Sequence, residues 1–72
     1  MTTSARLLRL GSTGPDVAEL QTALAQVGFY LAQPHGVFDA ATDQSVRRLQ
    51  SATGIDIDGV VGRDTRQALH AL

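Results

Sequence analysis

Apolar positions along this chain recur first at helical spacing. Val17, Leu20, Leu24 and Val27 form one stripe through "PDVAELQTALAQV", the pattern of an amphipathic helix with one face in a core. Pro15 suits the first helical position, where its missing N–H has no intrahelical partner to lose. Asp16 and Glu19 put negative charge near the positive end of the helix. Gly28 follows as a residue able to turn left-handed. The spacing predicts a helix over about 15–27. A second stripe, Thr42, Val46, Leu49 and Thr53, is flanked by Ala41, Ser45 and Ala52. Asp39 stands ahead of it as an N-cap, Asp43 and Arg47 form an i,i+4 pair in the favourable order, and Gly54 is the stop. This predicts a helix over 40–53. A last helix begins at Gly62 or Arg63, with Thr65, Ala68, Leu69 and Leu72 facing inward.

Between these stripes the helical period is lost. "FYLAQPHGVF" holds Pro34, which disfavours helix at Gln33, and Gly36, which favours a turn. It reads as a loop of about ten residues with its aromatics folded inward. "GIDIDGVV" reads as a second loop. The N-terminal "LLRL" is apolar but short, and is expected to pack across the helices as an extended arm.

The two loops repeat one phrase. "HGVFDAAT" (35–42) and "DGVVGRDT" (58–65) are offset by 23 positions. In each, a turn glycine precedes an apolar pair (Val37 and Phe38; Val60 and Val61). A capping position follows (Asp39; Gly62), then a threonine three residues on (Thr42; Thr65). Each copy is expected to plug the core and launch a helix. Gln21 and Gln50 each follow a core leucine, and their amides are expected to satisfy loop backbone groups. The fold class is all-α: one compact three-helix bundle with two structured, repeated loops, spanning 1–72.

Composition narrows the chemistry. A chain of 72 residues with no cysteine has neither a disulfide framework nor a cysteine-rich zinc site to support it. Its apolar fraction of 43% supplies a core and argues against disorder. The formal net charge is −1, and the six arginines are scattered, which argues against nucleic acid held mainly by charge. Both gaps between helices exceed the three or four residues of a helix-turn-helix. No apolar run approaches the roughly 20 residues of a membrane span. "MTTSARLLRL" lacks a signal peptide's long apolar stretch and cleavage site, so export is expected to come from a partner or another route.

No catalytic set assembles in the sequence. His35 and His70 have no serine motif near them, and a nucleophile needs an oriented base beside it. Asp39 and Asp43 are read as a cap and a helix-dipole partner. "DIDG" opens like a calcium loop from Asp56, but position twelve is Gln67 rather than a bidentate glutamate. No metal, cofactor or enzymatic activity is expected.

"LRLGSTGPDVAELQTALAQVGFY", "GVFDAAT…VRRLQ" and "GIDIDGVVGRDTRQAL" together closely resemble the peptidoglycan-binding domain of bacterial cell-wall hydrolases and phage endolysins. The resemblance covers about residues 8–69. It implies a three-helix fold and non-catalytic attachment of a partner enzyme to murein, at the cell envelope or outside the cell. Related folds serve as propeptides of matrix metalloproteases, so the alternative is a protein-docking adaptor, such as a phage or secretion-particle component. The chain departs from the family pattern at His35 (usually Asp), Asp39 (usually Gly), Leu49 (commonly Phe) and Arg66 (commonly Trp). Three of these lie in or beside the loops.

Under this resemblance the partner is peptidoglycan, through the stem peptide or its junction with glycan, bound by a monomer with a tethered hydrolase or structural protein. Both loops end at helix N-termini, which favour anionic groups, so a groove between the two loops is expected. Tyr30 supplies a flat face with a polar tip, Gln33 and His35 directional hydrogen bonds, and Arg63 a carboxylate partner. Asp39, Thr42 and Asp64 complete the candidate set.

Overall fold

The structure, a computed structural model, describes residues 6–72. Three helices follow in order: α1 (Pro15–Gln26), α2 (Ala40–Thr53) and α3 (Arg63–His70). No strand is present among the described residues, and two isolated antiparallel bridges, Leu8 with Val61 and Thr13 with Val37, are the extended pairings. The fold is the all-α bundle expected.

Each helix starts and stops where local chemistry dictates. Pro15 occupies the first turn of α1. At its far end Phe29 N–H donates to Leu24 O at 2.9 Å and Gly28 N–H to Ala25 O at 3.1 Å. This is a Schellman closure, and it needs Gly28 at φ 88°, a region costly for any side chain. α1 therefore ends one residue before the expected Val27, which is half-buried at the cap. Asp39 caps α2 by accepting the Thr42 N–H at 3.0 Å. α3 begins at Arg63 behind Gly62, which offers no capping side chain.

Ten apolar side chains form the core: Leu8, Val17, Leu20, Leu24, Tyr30, Phe38, Val46, Leu49, Val61 and Leu69. Every element contributes, as does the arm through Leu8. Only one member of each apolar pair plugs the core. Phe38 and Val61 are buried, whereas Val37 is exposed and Val60 half-buried, because successive side chains of an extended segment point to opposite sides. Leu31 is 92% exposed, so it does not join the inward-folded Phe29 and Tyr30. Leu72 is exposed beyond the end of α3 rather than inward on it.

The N-terminal arm crosses the loops rather than the helices. Leu8 exchanges both backbone hydrogen bonds with Val61, at 3.2 and 2.8 Å. Farther along, Gly11 N–H donates to Phe38 O, Phe38 N–H to Ser12 O, and Gly14 N–H to Gly36 O. One short arm thus ties both repeats together. Arg6 fastens it to α1 through Asp16 at 2.6 Å, and Arg66 Nη2 donates to Arg6 O at 2.8 Å. The part of the signal-peptide reading that falls on residues 1–5 lies outside the described residues.

Candidate functional site

The loops are organised by two buried glutamines. Gln21 Oε1 accepts the N–H groups of His35 at 2.8 Å and Gly36 at 3.0 Å. Its Nε2 donates to Val37 O and Thr42 Oγ1, both at 2.9 Å. Gln50 repeats this one unit later. Its Oε1 accepts from Asp58 N at 3.1 Å and Gly59 N at 3.0 Å. Its Nε2 faces Val60 O at 3.1 Å and Thr65 Oγ1 at 3.1 Å. An amide has two donors and two acceptor lone pairs, so each glutamine is used in full to shape one loop. This is the expected structural role, and it leaves neither amide available to a ligand.

The two loops differ where the repeat departs from itself. Asp58 Oδ1 accepts the Val60 N–H at 2.9 Å and lies 2.9 Å from Gln50 Nε2, whose two N–H groups are shared among Asp58 Oδ1, Val60 O and Thr65 Oγ1. At the matching place His35 Nδ1 accepts the Val37 N–H at 3.2 Å. That fixes the proton on Nε2, which faces Asp39 Oδ2 at 3.2 Å. Asp39 Oδ1 takes the Thr42 hydroxyl at 2.8 Å as well as its N–H. The Thr42 hydroxyl, then its N–H, hold the Asp39 carboxyl below the ordinary carboxylate range. The Val60 N–H, then the Gln50 amide, do the same for Asp58.

A hollow of about 410 Å³ opens beside the second loop at the start of α3. Leu7, Ile55 and Val60 give it apolar walls, Gly62 and Thr65 line it, and Asp56, Asp58, Arg63 and Asp64 bring charge. Asp56, Arg63 and Asp64 are exposed and form no side-chain hydrogen bond or ion pair among the described residues. A larger hollow of about 820 Å³ lies between the arm, α1 and α3, with Arg6, Asp16, Arg66 and His70 on its rim.

The expected contact set divides. Arg63 and Asp64 line the second-loop hollow. Gln33, His35 and Asp39 are at the surface of the first loop and line neither hollow. Tyr30 is 2% exposed and its hydroxyl turns to Gln33 O at 3.4 Å. Thr42 is fully buried between Asp39 and Gln21. Core packing and internal bonding thus withdraw these two side chains from the surface. Neither of these two hollows is lined by residues of both loops, and the arm bonds to each loop. Leu7, Ile55, Asp56 and Asp58 were not singled out as contacts from sequence. The repeat alignment carries the signal, since it sets Asp58, Gly62, Arg63 and Asp64 against His35, Asp39, Ala40 and Ala41. Among the described residues, no three His, Asp or Glu side chains converge to hold a metal ion.

Comparisons with known proteins bear on the family and the fold. The chain is 39% identical over 74 aligned residues to the spore cortex-lytic enzyme of Halalkalibacterium halodurans, an alignment covering 96% of this chain and 22% of that enzyme. It thus spans about a fifth of that relative's length. The crystal structure of the SleB N-terminal domain superposes with a TM-score of 0.92 at 36% identity, covering 97% of this chain and 96% of the other. An L,D-transpeptidase from Xylanimonas cellulosilytica superposes with a TM-score of 0.89 at 38% identity, over 99% of this chain and 35% of that one. Residues 13–69 match the profile of the family described as "Putative peptidoglycan binding domain". With a match over most of its length and a bundle that superposes on relatives of the same kind, the chain belongs to the peptidoglycan-binding domain family.

Proposed function

We propose that this domain holds bacterial peptidoglycan reversibly and without catalysis of its own, and so keeps an associated wall-acting enzyme or particle near its polymer. The observation that carries the reading is the hollow at the start of α3, where Asp56, Arg63 and Asp64 meet solvent unengaged. A stem peptide offers carboxylates, backbone amides and, at a diamino acid, an amine. Arg63 suits a carboxylate as a charge-assisted donor. Asp56 and Asp64 suit an amine or amide N–H. Leu7 and Ile55 suit the peptide's aliphatic carbons. The N–H groups of the first turn of α3, uncapped by any side chain, suit a carbonyl or carboxylate oxygen.

Such a shallow site buries little area, so affinity for one fragment is weak. Attachment to a polymer of repeating ligands compensates through local concentration. That fits a tethering role: the relatives are longer proteins, and this chain aligns with 22% of one of them. Action at the cell envelope or outside the cell follows from the ligand.

The test is sedimentation with purified sacculi. Retention in the pellet that soluble stem peptide competes away supports the reading. Recovery wholly in the supernatant at low and moderate salt overturns it in favour of protein docking by the same fold.

A further inference from the structure

The chain contains its loop-and-helix unit twice, and the two units share their internal wiring down to the glutamine hub. They do not share the hollow. We infer that the second repeat alone binds wall peptide, and that the first is the same site closed by its own side chains, with the contrast between Gly62 and Asp39 deciding which is open. This rests on the reading of the domain as a peptidoglycan binder.

Asp39 Oδ1 covers the first turn of α2 by taking the Thr42 N–H at 3.0 Å. Its Oδ2 faces His35 Nε2 at 3.2 Å across the entry to the helix. The positions after the cap are Ala40 and Ala41, which offer a ligand no polar side chain. In the second repeat every one of these features is reversed. Gly62 has no side chain to place over the first turn of α3. Asp58 turns its Oδ1 inward to Val60 and Gln50 and has no basic residue in ion-pair contact among the described residues. Arg63 and Asp64 stand where the alanines stood, and both line the hollow.

Gly62 is not there for backbone reasons. Its φ of −113° is open to any residue. A Cβ at Gly62 would lie 3.1 Å from Leu7 Cδ2, a tight contact on the hollow's own wall that the exposed Leu7 side chain can relieve by a small shift. An aspartate there is therefore compatible with the fold, and would gain a capping bond to Thr65 N–H like the one Asp39 makes. Closing the hollow and capping the helix are the same substitution. Loss of binding then comes without loss of stability, which a merely structural role for Gly62 does not produce.

The experiment is a titration of the ¹⁵N-labelled full chain with soluble muropeptide from muramidase-digested sacculi. It is run on the unmodified chain, on Gly62→Asp, and on Asp58→His with Gly62→Asp, with thermal midpoints measured alongside. The inference expects amide shifts at 55–65 and Leu7, unmoved amides at 33–42, one saturating site, and about tenfold or greater weakening in both variants with folding retained. Shifts at 33–42 in the unmodified chain, or binding undiminished in the folded variants, overturn the inference while leaving wall binding standing. No response from the unmodified chain overturns the wall-binding reading and this inference with it.

Discussion

Gln21 and Gln50 are the residues on which both loops depend. Each is buried and each satisfies groups from several loop positions. Replacing either by leucine would fill the volume but leave buried N–H and C=O groups without partners, at about 1–3 kcal/mol for each group stranded. Gln21→Leu and Gln50→Leu are therefore expected to cost at least about 3 kcal/mol. For a domain of this size that lowers the thermal midpoint by roughly 12–24 °C, readable by circular dichroism. The carboxylates make a second residue-scale prediction. Asp39 and Asp58 are held below their ordinary pKa in the folded chain. Their stabilising contribution is thus complete above the unfolded value of about 3.9 and is lost as pH falls through the lower folded values. Thermal midpoints should hold from neutral pH to about pH 5 and drop below about pH 4. Asp39→Asn and Asp58→Asn should each make that acid drop shallower.

At the scale of elements, the helix ends carry the definition. Gly28→Ala forces a side chain into the left-handed region that the Schellman closure requires, and is expected to cost about 1–2 kcal/mol in a denaturant melt. Much of this scale is legible in sequence. α2 spans the residues its stripe and cap predict, because Asp39 and Gly54 are unambiguous signals at either end. The repeat correctly predicts two loops that each plug the core and launch a helix. It does not predict which apolar residue of each pair turns inward, since that depends on how the arm approaches. The loops' hydrogen-bonding centres lie outside the repeated phrase, on the preceding helices, at the two glutamines that the Leu-Gln pairs single out, Gln21 and Gln50. Two parts of the candidate site differ in how far the sequence reveals them. Arg63 and Asp64 stand at a helix start that any reading of the second loop would notice, whereas Leu7 reaches the hollow only through a long-range pairing of Leu8 with Val61.

At the scale of the molecule, the arm makes one unit of two repeats. Leu8 is buried in the core while its backbone pairs with Val61. Leu8→Ala is expected to destabilise by about 2–5 kcal/mol, and to loosen the second-loop hollow that neighbouring Leu7 walls. The formal net charge of −1 gives the whole surface little field of its own, so attachment depends on local contacts rather than on long-range attraction. Salt should accordingly weaken attachment only modestly.

The central claim is that wall peptide is held at the second repeat and that the first repeat supports it without touching ligand. Retention on sacculi, compared for Arg63→Ala and His35→Ala at matched thermal stability, tests it most directly. Loss of the charge-assisted contact in Arg63→Ala is expected to lower affinity about tenfold, while His35→Ala retains as the unmodified chain does. Equal retention in Arg63→Ala, or a loss confined to His35→Ala, would contradict the account.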